Sequence, residues 1–326
     1  MSRYIALVTG ATRGLGKGIA IGLGEIGATV YITGRTVDSS PATADISGSL
    51  RDTCRAVEQA GGVCIPVPVD HNDDQQVQGL FDLIQQEQQG QLDLLVNNAY
   101  AGVSALRHSY GQPFWATDSS LWDACNQVGL RSHYVASLFA ARMMTPRRQG
   151  LICTISSWGG LSYIFGTAYG VGKAACDRLA ADMATELQPH QVASLSIWPG
   201  IVGTEQLSQL VDERADQPVT DPQQALFQER YNWETPLLTG RVIAALATDP
   251  QVMRRTGRVQ IVAELARQYG LVDQAGNSPA SLRSLQFLLP AAIPSLRPYA
   301  TWLPDLKLPW WLMMWQILRS PRIGRH

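Results

Sequence analysis

The sequence predicts an α/β fold, a doubly wound parallel sheet followed by a C-terminal extension. Three observations carry that prediction. Short apolar runs bounded by turn residues alternate with segments of helical periodicity over residues 4–262. A glycine-rich turn joins the first strand to the first helix. No internal repeat or low-complexity linker interrupts the alternation, so residues 1–266 read as one domain and 267–326 as the extension.

Tyr4–Val8 is a short apolar run ending at Thr9-Gly10, which suits a buried strand. Leu15, Ile19, Leu23 and Ile26 then recur at helical spacing. Between them lies Thr9-Gly-Ala-Thr-Arg-Gly-Leu-Gly16, a T-G-x-x-x-G-x-G turn. Strand, glycine turn and helix form the context in which main-chain N–H groups and a helix N-terminus receive phosphate. Gly10 serves the tight turn, while Gly14 and Gly16 let a pyrophosphate approach the backbone.

The second strand, Ala28–Thr33, leads into Gly34-Arg35 with no carboxylate at its end. A carboxylate there would hold the 2′-hydroxyl of NAD. Arg35 and Arg13 offer two guanidiniums instead, whose planar forks suit a 2′-phosphate. NADP(H) is therefore favoured over NAD(H). The polar stretch Val37–Ser49 reads as an exposed loop beside that site.

Leu50–Ala60 is a helix stopped by Gly61-Gly62, and Val63–Val69 a third strand ending at Asp70. Asp70 is placed to accept from an adenine amino group or to cap the next helix. Val77–Gln89 is helical, and Leu92–Val96 is a fourth strand running into Asn97-Asn98-Ala99-Tyr100. Residues 101–119 form a loop long enough for a pocket wall, and Trp122–Met144 carries one long helical pattern. Leu151–Ile155 is the fifth strand, ending in Ser156-Ser157. Ala168–Leu187 is a helix, Val192–Trp198 the sixth strand, and Pro199–Thr204 a loop. Residues 207–235 are polar and irregular, either a substrate lid or an exposed excursion. Gly240–Ala247 is a short helix and Gly257–Val262 a last strand.

Composition removes several classes. The chain has 326 residues, 45% hydrophobic and 16% charged, with 26 basic against 27 acidic side chains. Such a balance gives no pull toward nucleic acid. No metal-ligand constellation is expected. Five cysteines are scattered without a C-x-x-C pair, which reads as reduced thiols in a reducing, cytoplasmic compartment. Tyr4–Val8 already serves as a core strand, so no targeting segment is expected ahead of it, and no run reaches the ~18 apolar residues of a spanning helix.

The chemistry concentrates at Tyr169-Gly-Val-Gly-Lys173, where tyrosine and lysine lie one helical turn apart on one face. A phenol ordinarily keeps its proton to about pH 10, and a fixed ammonium nearby favours the phenolate, which suits general acid–base work. Alone, Y-x-x-x-K is a common pattern on solvated helices.

Together these motifs resemble the classical short-chain dehydrogenase/reductase family. The resemblance runs from Thr9-Gly10…Gly16 through Asn97-Asn98-Ala99, Ser156-Ser157 and Tyr169…Lys173 to Pro199-Gly200…Thr204. It implies a Rossmann-type sheet and an oxidoreductase acting on a small-molecule carbonyl or alcohol, working as a homo-oligomer. It also implies that Tyr169 protonates the carbonyl oxygen, that Ser157 donates to the same oxygen, and that Lys173 lowers the phenol's pKa and holds the nicotinamide ribose. Gly10, Arg13, Gly14, Leu15, Gly16, Arg35, Asp70, Asn97, Tyr169, Lys173 and Thr204 would line the NADP site.

Two departures stand out. By register from Trp122, the family's relay asparagine falls on Gly129, with Asn126 one turn earlier. The Ser-Ser-x-x-Gly pattern selects Ser157, while counting back from Tyr169 selects Ser156. Neighbouring strand residues face opposite ways, so only one can serve, and Ser157 is favoured. Trp158, Tyr163, Phe165 and Trp233 are candidate pocket walls.

In the extension, Leu308–Leu318 is Trp-rich and followed by Arg319, Arg322 and Arg325. Residues 308–325 suit peripheral contact with a membrane surface, or packing over the subunit's own pocket or a partner subunit. The alternative to an apolar-substrate enzyme is a catalytically weak NADP-binding scaffold or sensor at such a surface.

Overall fold

The computed structural model describes residues 4–38, 48–213 and 222–319. Most of the expected loop at 37–49, part of the polar segment 207–235, and Arg322 and Arg325 lie outside them.

Among the described residues the central sheet has seven parallel strands. They are β1 (Ile5–Val8), β2 (Thr29–Gly34), β3 (Val63–Pro68), β4 (Leu94–Asn97), β5 (Gly150–Ile155) and β6 (Val192–Trp198), closed by an edge strand near residue 260. A two-residue pair, β7 (Ile201–Val202) and β8 (Trp233–Glu234), lies apart from it, which makes the edge strand β9 (Val259–Ile261). The spatial order is β3-β2-β1-β4-β5-β6-β9. Strands β1, β2, β4 and β6 are buried along their whole length, as strands covered by helices on both faces must be. β3 alternates with exposed residues and carries Pro66 and Pro68, which an edge tolerates because one side needs no ladder.

The flanking helices are α1 (Gly14–Glu25), α2 (Leu50–Gln59), α3 (Asp74–Glu87), α4 (Val103–Ser109), α5 (Ser120–Asn126), α6 (Ser132–Arg147) and α7 (Thr167–Leu187). Then follow α8 (Glu205–Glu213), α9 (Pro222–Gln228), α10 (Pro236–Thr248), α11 (Val262–Tyr269), α12 (Leu285–Ala292) and α13 (Trp310–Arg319). One apolar core holds Ala6, Val8, Ile19, Leu23, Val242 and Ile243 on one face of the sheet. The second holds Leu7, Tyr31, Phe81, Leu95 and Ala140 on the other. A doubly wound fold requires that division, and all the expected strands are present.

Three expectations are corrected. The helical pattern of Trp122–Met144 is broken: five residues of π-type turn, Gln127–Arg131, separate α5 from α6. Val128 (φ −108°, ψ 93°) and Gly129 (φ 149°, ψ −21°) leave helical geometry there. Side-chain periodicity continues through the break, so it conceals a backbone excursion that only glycine makes cheaply. The stretches expected as loop or irregular chain contain α4, α8 and α9. Finally, two of the five cysteines are not reduced: Cys54 on α2 and Cys64 on β3 form a disulfide. The tight return through Gly61-Gly62 brings their Cα atoms to 5.1 Å, within disulfide reach. Cys125, Cys153 and Cys176 are buried thiols.

The extension packs on the sheet's β6–β9 edge. Arg283 forks onto Glu264 (2.6 and 2.9 Å) and reaches the Leu308 carbonyl (2.8 Å). Trp310 meets Trp198 edge-on at 6.0 Å, and Met313 is buried. Trp311 and Trp315, on the other side of α13, are 71% and 49% exposed. Among the described residues no helix is long and apolar enough to cross a membrane.

Candidate active site

The glycine turn lies at the carboxyl end of the sheet, where the strand order reverses between β1 and β4 and α/β folds open a crevice. The Thr9 hydroxyl accepts from the Asn98 and Ala99 backbone N–H groups at 2.9 and 3.0 Å. In return the Asn98 amide donates to the Thr9 and Gly10 carbonyls, both at 2.9 Å. Gly16 closes this knot, since a β-carbon there would collide with the Gly10 carbonyl and the Asn98 amide. Asn97, the residue expected in the cleft, is fully buried and turns its amide to Ser137 on α6 (2.8 Å). The amide that serves the turn is that of Asn98.

Gly14 opens α1, preceded by Arg13 in extended conformation. Leu15 packs against the core, which leaves its main chain for the cleft. Arg35 follows β2, is exposed, and among the described residues its side chain makes no ion pair or hydrogen bond. Asp70 makes an Asx turn, its carboxylate accepting from Asn72 N–H at 3.0 Å, while the cap of α3 is Asp73. A methyl of Thr204 lies against Gly14, and its hydroxyl accepts from Leu207 N–H at 3.2 Å. The next residue was not anticipated. Glu205 Oε2 accepts from Gly14 N–H at 2.9 Å, so a carboxylate sits on the positive end of α1. An acid directly after Thr204, opening a helix, was the available signal.

The cluster of Ser157, Tyr169 and Lys173 is built where β5 meets α7. Ser157 Oγ lies 2.8 Å from the Tyr169 hydroxyl and accepts from Gly159 N–H at 3.0 Å. Ser156 faces the other way and donates to the Lys173 carbonyl at 2.9 Å. Lys173 is buried, and its Nζ donates to the Ile155 carbonyl at 3.1 Å. The same ammonium stands 4.9 Å from the centre of the Tyr100 ring and 5.8 Å from that of Tyr169. One turn on, Asp177 accepts from Ser196 Oγ (2.5 Å) and Trp198 Nε1 (2.8 Å), pinning α7 to β6. Burial pushes its carboxyl above the usual range. Asn126 spends its amide N–H groups on the Trp122 and Ala168 carbonyls (3.0 and 3.4 Å), tying α5 to the first turn of α7.

Two aromatic rings, Tyr100 and Phe165, pack against the Tyr169 ring. Phe165 meets Tyr169 edge-on at 5.4 Å and stacks on Phe227 of α9 at 5.7 Å. Among the expected walls, only Phe165 packs on Tyr169. Trp158 meets Trp198 edge-on, Tyr163 is 72% exposed, and Trp233 lies under the Arg230 guanidinium. A hydrogen-bonded hydroxyl pair beside a buried ammonium and an apolar wall can polarise an oxygen and pass it a proton.

The short chain dehydrogenase family model matches residues 4–215. The chain is 44% identical over 315 residues to dehydrogenase/reductase SDR family member 1 of Homo sapiens, covering 96% of each. It is 33% identical over 201 residues to carbonyl reductase (NADPH) 2 of Sus scrofa, covering 61% of this chain and 72% of that protein. A metagenomic short-chain oxidoreductase solved in complex with NADP superposes with a TM-score of 0.60 at 26% identity, covering 79% of this chain and 95% of its own. A family match across most of the chain, joined to a relative that shares nearly its full length, makes this chain a member of the classical short-chain dehydrogenase/reductase family of oxidoreductases.

Proposed function

We propose that this oxidoreductase uses NADP(H) to reduce a carbonyl, or oxidise the corresponding alcohol, of a fairly apolar small molecule. The observation that carries the reading is the contact between the Ser157 and Tyr169 hydroxyls beside the buried Lys173 ammonium. In reduction, Tyr169 gives its proton to the carbonyl oxygen, and Ser157 donates a hydrogen bond to the same oxygen as charge develops there. Lys173 holds the site's positive charge in place through its bond to the Ile155 carbonyl. The cofactor supplies the hydride when bound, and the chain supplies orientation and electrostatics.

Gly10, Gly14, Leu15, Gly16 and Thr204 would receive the pyrophosphate with their main chain, and the Glu205 carboxylate on Gly14 N–H marks that spot as one that accepts anions. Arg13 and Arg35 would hold the 2′-phosphate. An NADP complex of one solved relative and the NADPH in the name of the pig enzyme support that choice.

Consumption of NADPH over a panel of ketones, aldehydes and quinones tests the reading, with Tyr169→Phe as the control. Wild type no faster than the Phe variant on every carbonyl would overturn it.

Two assembly readings accompany it. Tyr134 and Leu138 on α6 and Val171 on α7 are exposed apolar residues that support self-association, which the solution mass would report. The exposed Trp302, Trp311 and Trp315 support peripheral contact of the extension with lipid. Equal recovery of wild type and a chain cut before Leu308 with liposomes would sink that second reading.

A further inference from the structure

Tyr100 is held in an unusual clamp. A β-carbon on Gly129 would lie 2.5 Å from Tyr100 Cδ2, and one on Gly102 would lie 2.5 Å from the Tyr100 hydroxyl. The ring therefore fills the volume that any side chain at 129 would need. The turn that presents Gly129 is fixed on every side. Ala101 N–H donates to the Val128 carbonyl (3.0 Å), Gly129 N–H to Ser132 Oγ (3.2 Å), and the Cys176 thiol to the Gly129 carbonyl (3.2 Å).

What the ring faces is the ammonium of Lys173, 4.9 Å from its centre. Tyr169 meets the same ring nearly perpendicular, centroids 6.1 Å apart. An ammonium carries three N–H donors, and the bond to the Ile155 carbonyl accounts for one of them. A buried cation with donors to spare is costly unless another attraction compensates, and an aromatic face supplies one. The Tyr100 hydroxyl adds nothing comparable. It is buried, and its polar neighbour is the Cys125 thiol, at best a weak partner. The useful part of this side chain is its π face.

We propose that Tyr100 is a positioning residue for the reaction: its ring face holds the Lys173 ammonium beside Tyr169, in the space that Gly129 leaves open. This rests on the reading of Tyr169 and Lys173 as the reacting pair.

The test uses the full-length chain as wild type, Tyr100→Phe, Tyr100→Leu and Tyr169→Phe. Two quantities are read: NADPH affinity from quenching of protein fluorescence, and kcat and KM for the best carbonyl of the panel. Tyr100→Leu stays apolar but loses the π face, so kcat should fall roughly 3- to 30-fold while the carbonyl KM stays within about twofold. NADPH should bind several-fold more weakly, because Lys173 no longer has a fixed position. Tyr100→Phe restores the ring and should recover kcat to within about twofold of wild type. Should the Leu variant fail to fold, Tyr100→Met, flexible and of similar bulk, takes its place. Wild-type kcat and NADPH affinity in the Leu or Met variant would overturn the proposal. So would an equal loss in the Phe variant, which would assign the effect to the hydroxyl. If wild type binds NADPH yet outpaces Tyr169→Phe on no carbonyl, the proposed reaction fails instead, and the NADPH affinities still decide the role of the ring.

Discussion

Ser157 Oγ lies 2.8 Å from the Tyr169 hydroxyl, while Ser156, one residue earlier, is bonded to the Lys173 carbonyl. Two adjacent serines thus face opposite sides of one strand end, and they should fail differently. If Ser157 donates to the reacting oxygen as proposed, Ser157→Ala is expected to lower kcat by roughly 10²–10³. Ser156→Ala leaves a buried carbonyl short of a donor and should cost about 1 kcal/mol of stability, with a far smaller effect on kcat. Steady-state kinetics and urea unfolding of both variants check this. Comparable losses of kcat would remove the distinction.

Glu205 and Gly14 are 191 positions apart in sequence, yet the carboxylate of one caps the N–H of the other at 2.9 Å. Any phosphate brought to the head of α1 competes with that carboxylate for the same N–H and the same helix dipole. Glu205→Ala should therefore tighten NADPH binding by roughly 2- to 5-fold, most clearly at low salt. Isothermal titration would measure it. Weaker binding in the variant would show instead that Glu205 organises the turn.

These two pairs also mark what sequence could and could not convey. The strands were legible because each is a short apolar run closed by turn residues, and Tyr169 and Lys173 because one helix fixes their spacing. Strand alternation said that only one of Ser156 and Ser157 can face the cleft, and the Ser-Ser-x-x-Gly pattern favoured Ser157. Other features depend on contacts that no local pattern encodes. Gly129 sits inside uninterrupted helical periodicity, and at its positive φ it meets Tyr100, 29 positions away by sequence number, and the thiol of Cys176. Asn97 and Asn98 are chemically identical, and only the strand's facing decides which amide reaches the glycine turn. The Cys54–Cys64 pair was hidden in an odd count without a motif, and it depends on α2 folding back onto β3.

Arg35 has an exposed guanidinium directly after β2 without a partner among the described residues, and the nearest following carboxylate, Asp38, pairs with Arg51. If it meets a 2′-phosphate, its loss should penalise one cofactor only. Arg35→Ala is expected to raise the KM for NADPH by roughly 5- to 50-fold while leaving NADH within about threefold. The ratio of kcat/KM for the two cofactors is the measurement. Equal changes for both would remove Arg35 from the phosphate site.

Glu234 is the group through which pH should act on the fold. It is buried beside the Pro199-Gly200 loop; Oε1 accepts from the Thr239 hydroxyl at 3.3 Å, and Oε2 stands against Gly200. Burial raises its pKa from the ordinary 4.5 to about 7. Between those values the folded chain holds a proton that the unfolded chain has released. Its contribution to stability is therefore complete below about pH 4.5, declines as pH rises, and is lost above about pH 7. The loss is on the order of 3 kcal/mol. His71 and His133 act in the opposite sense: burial lowers them from 6.5 to about 4 and about 3, so they add stability as pH rises toward 6.5. The wild-type curve alone mixes the two trends, whereas comparison with Glu234→Gln, a neutral isostere, isolates the carboxyl. The variant should match wild type below about pH 4.5 and exceed it at pH 8 in urea unfolding. Parallel curves across that range would mean that Glu234 is not held protonated by its burial.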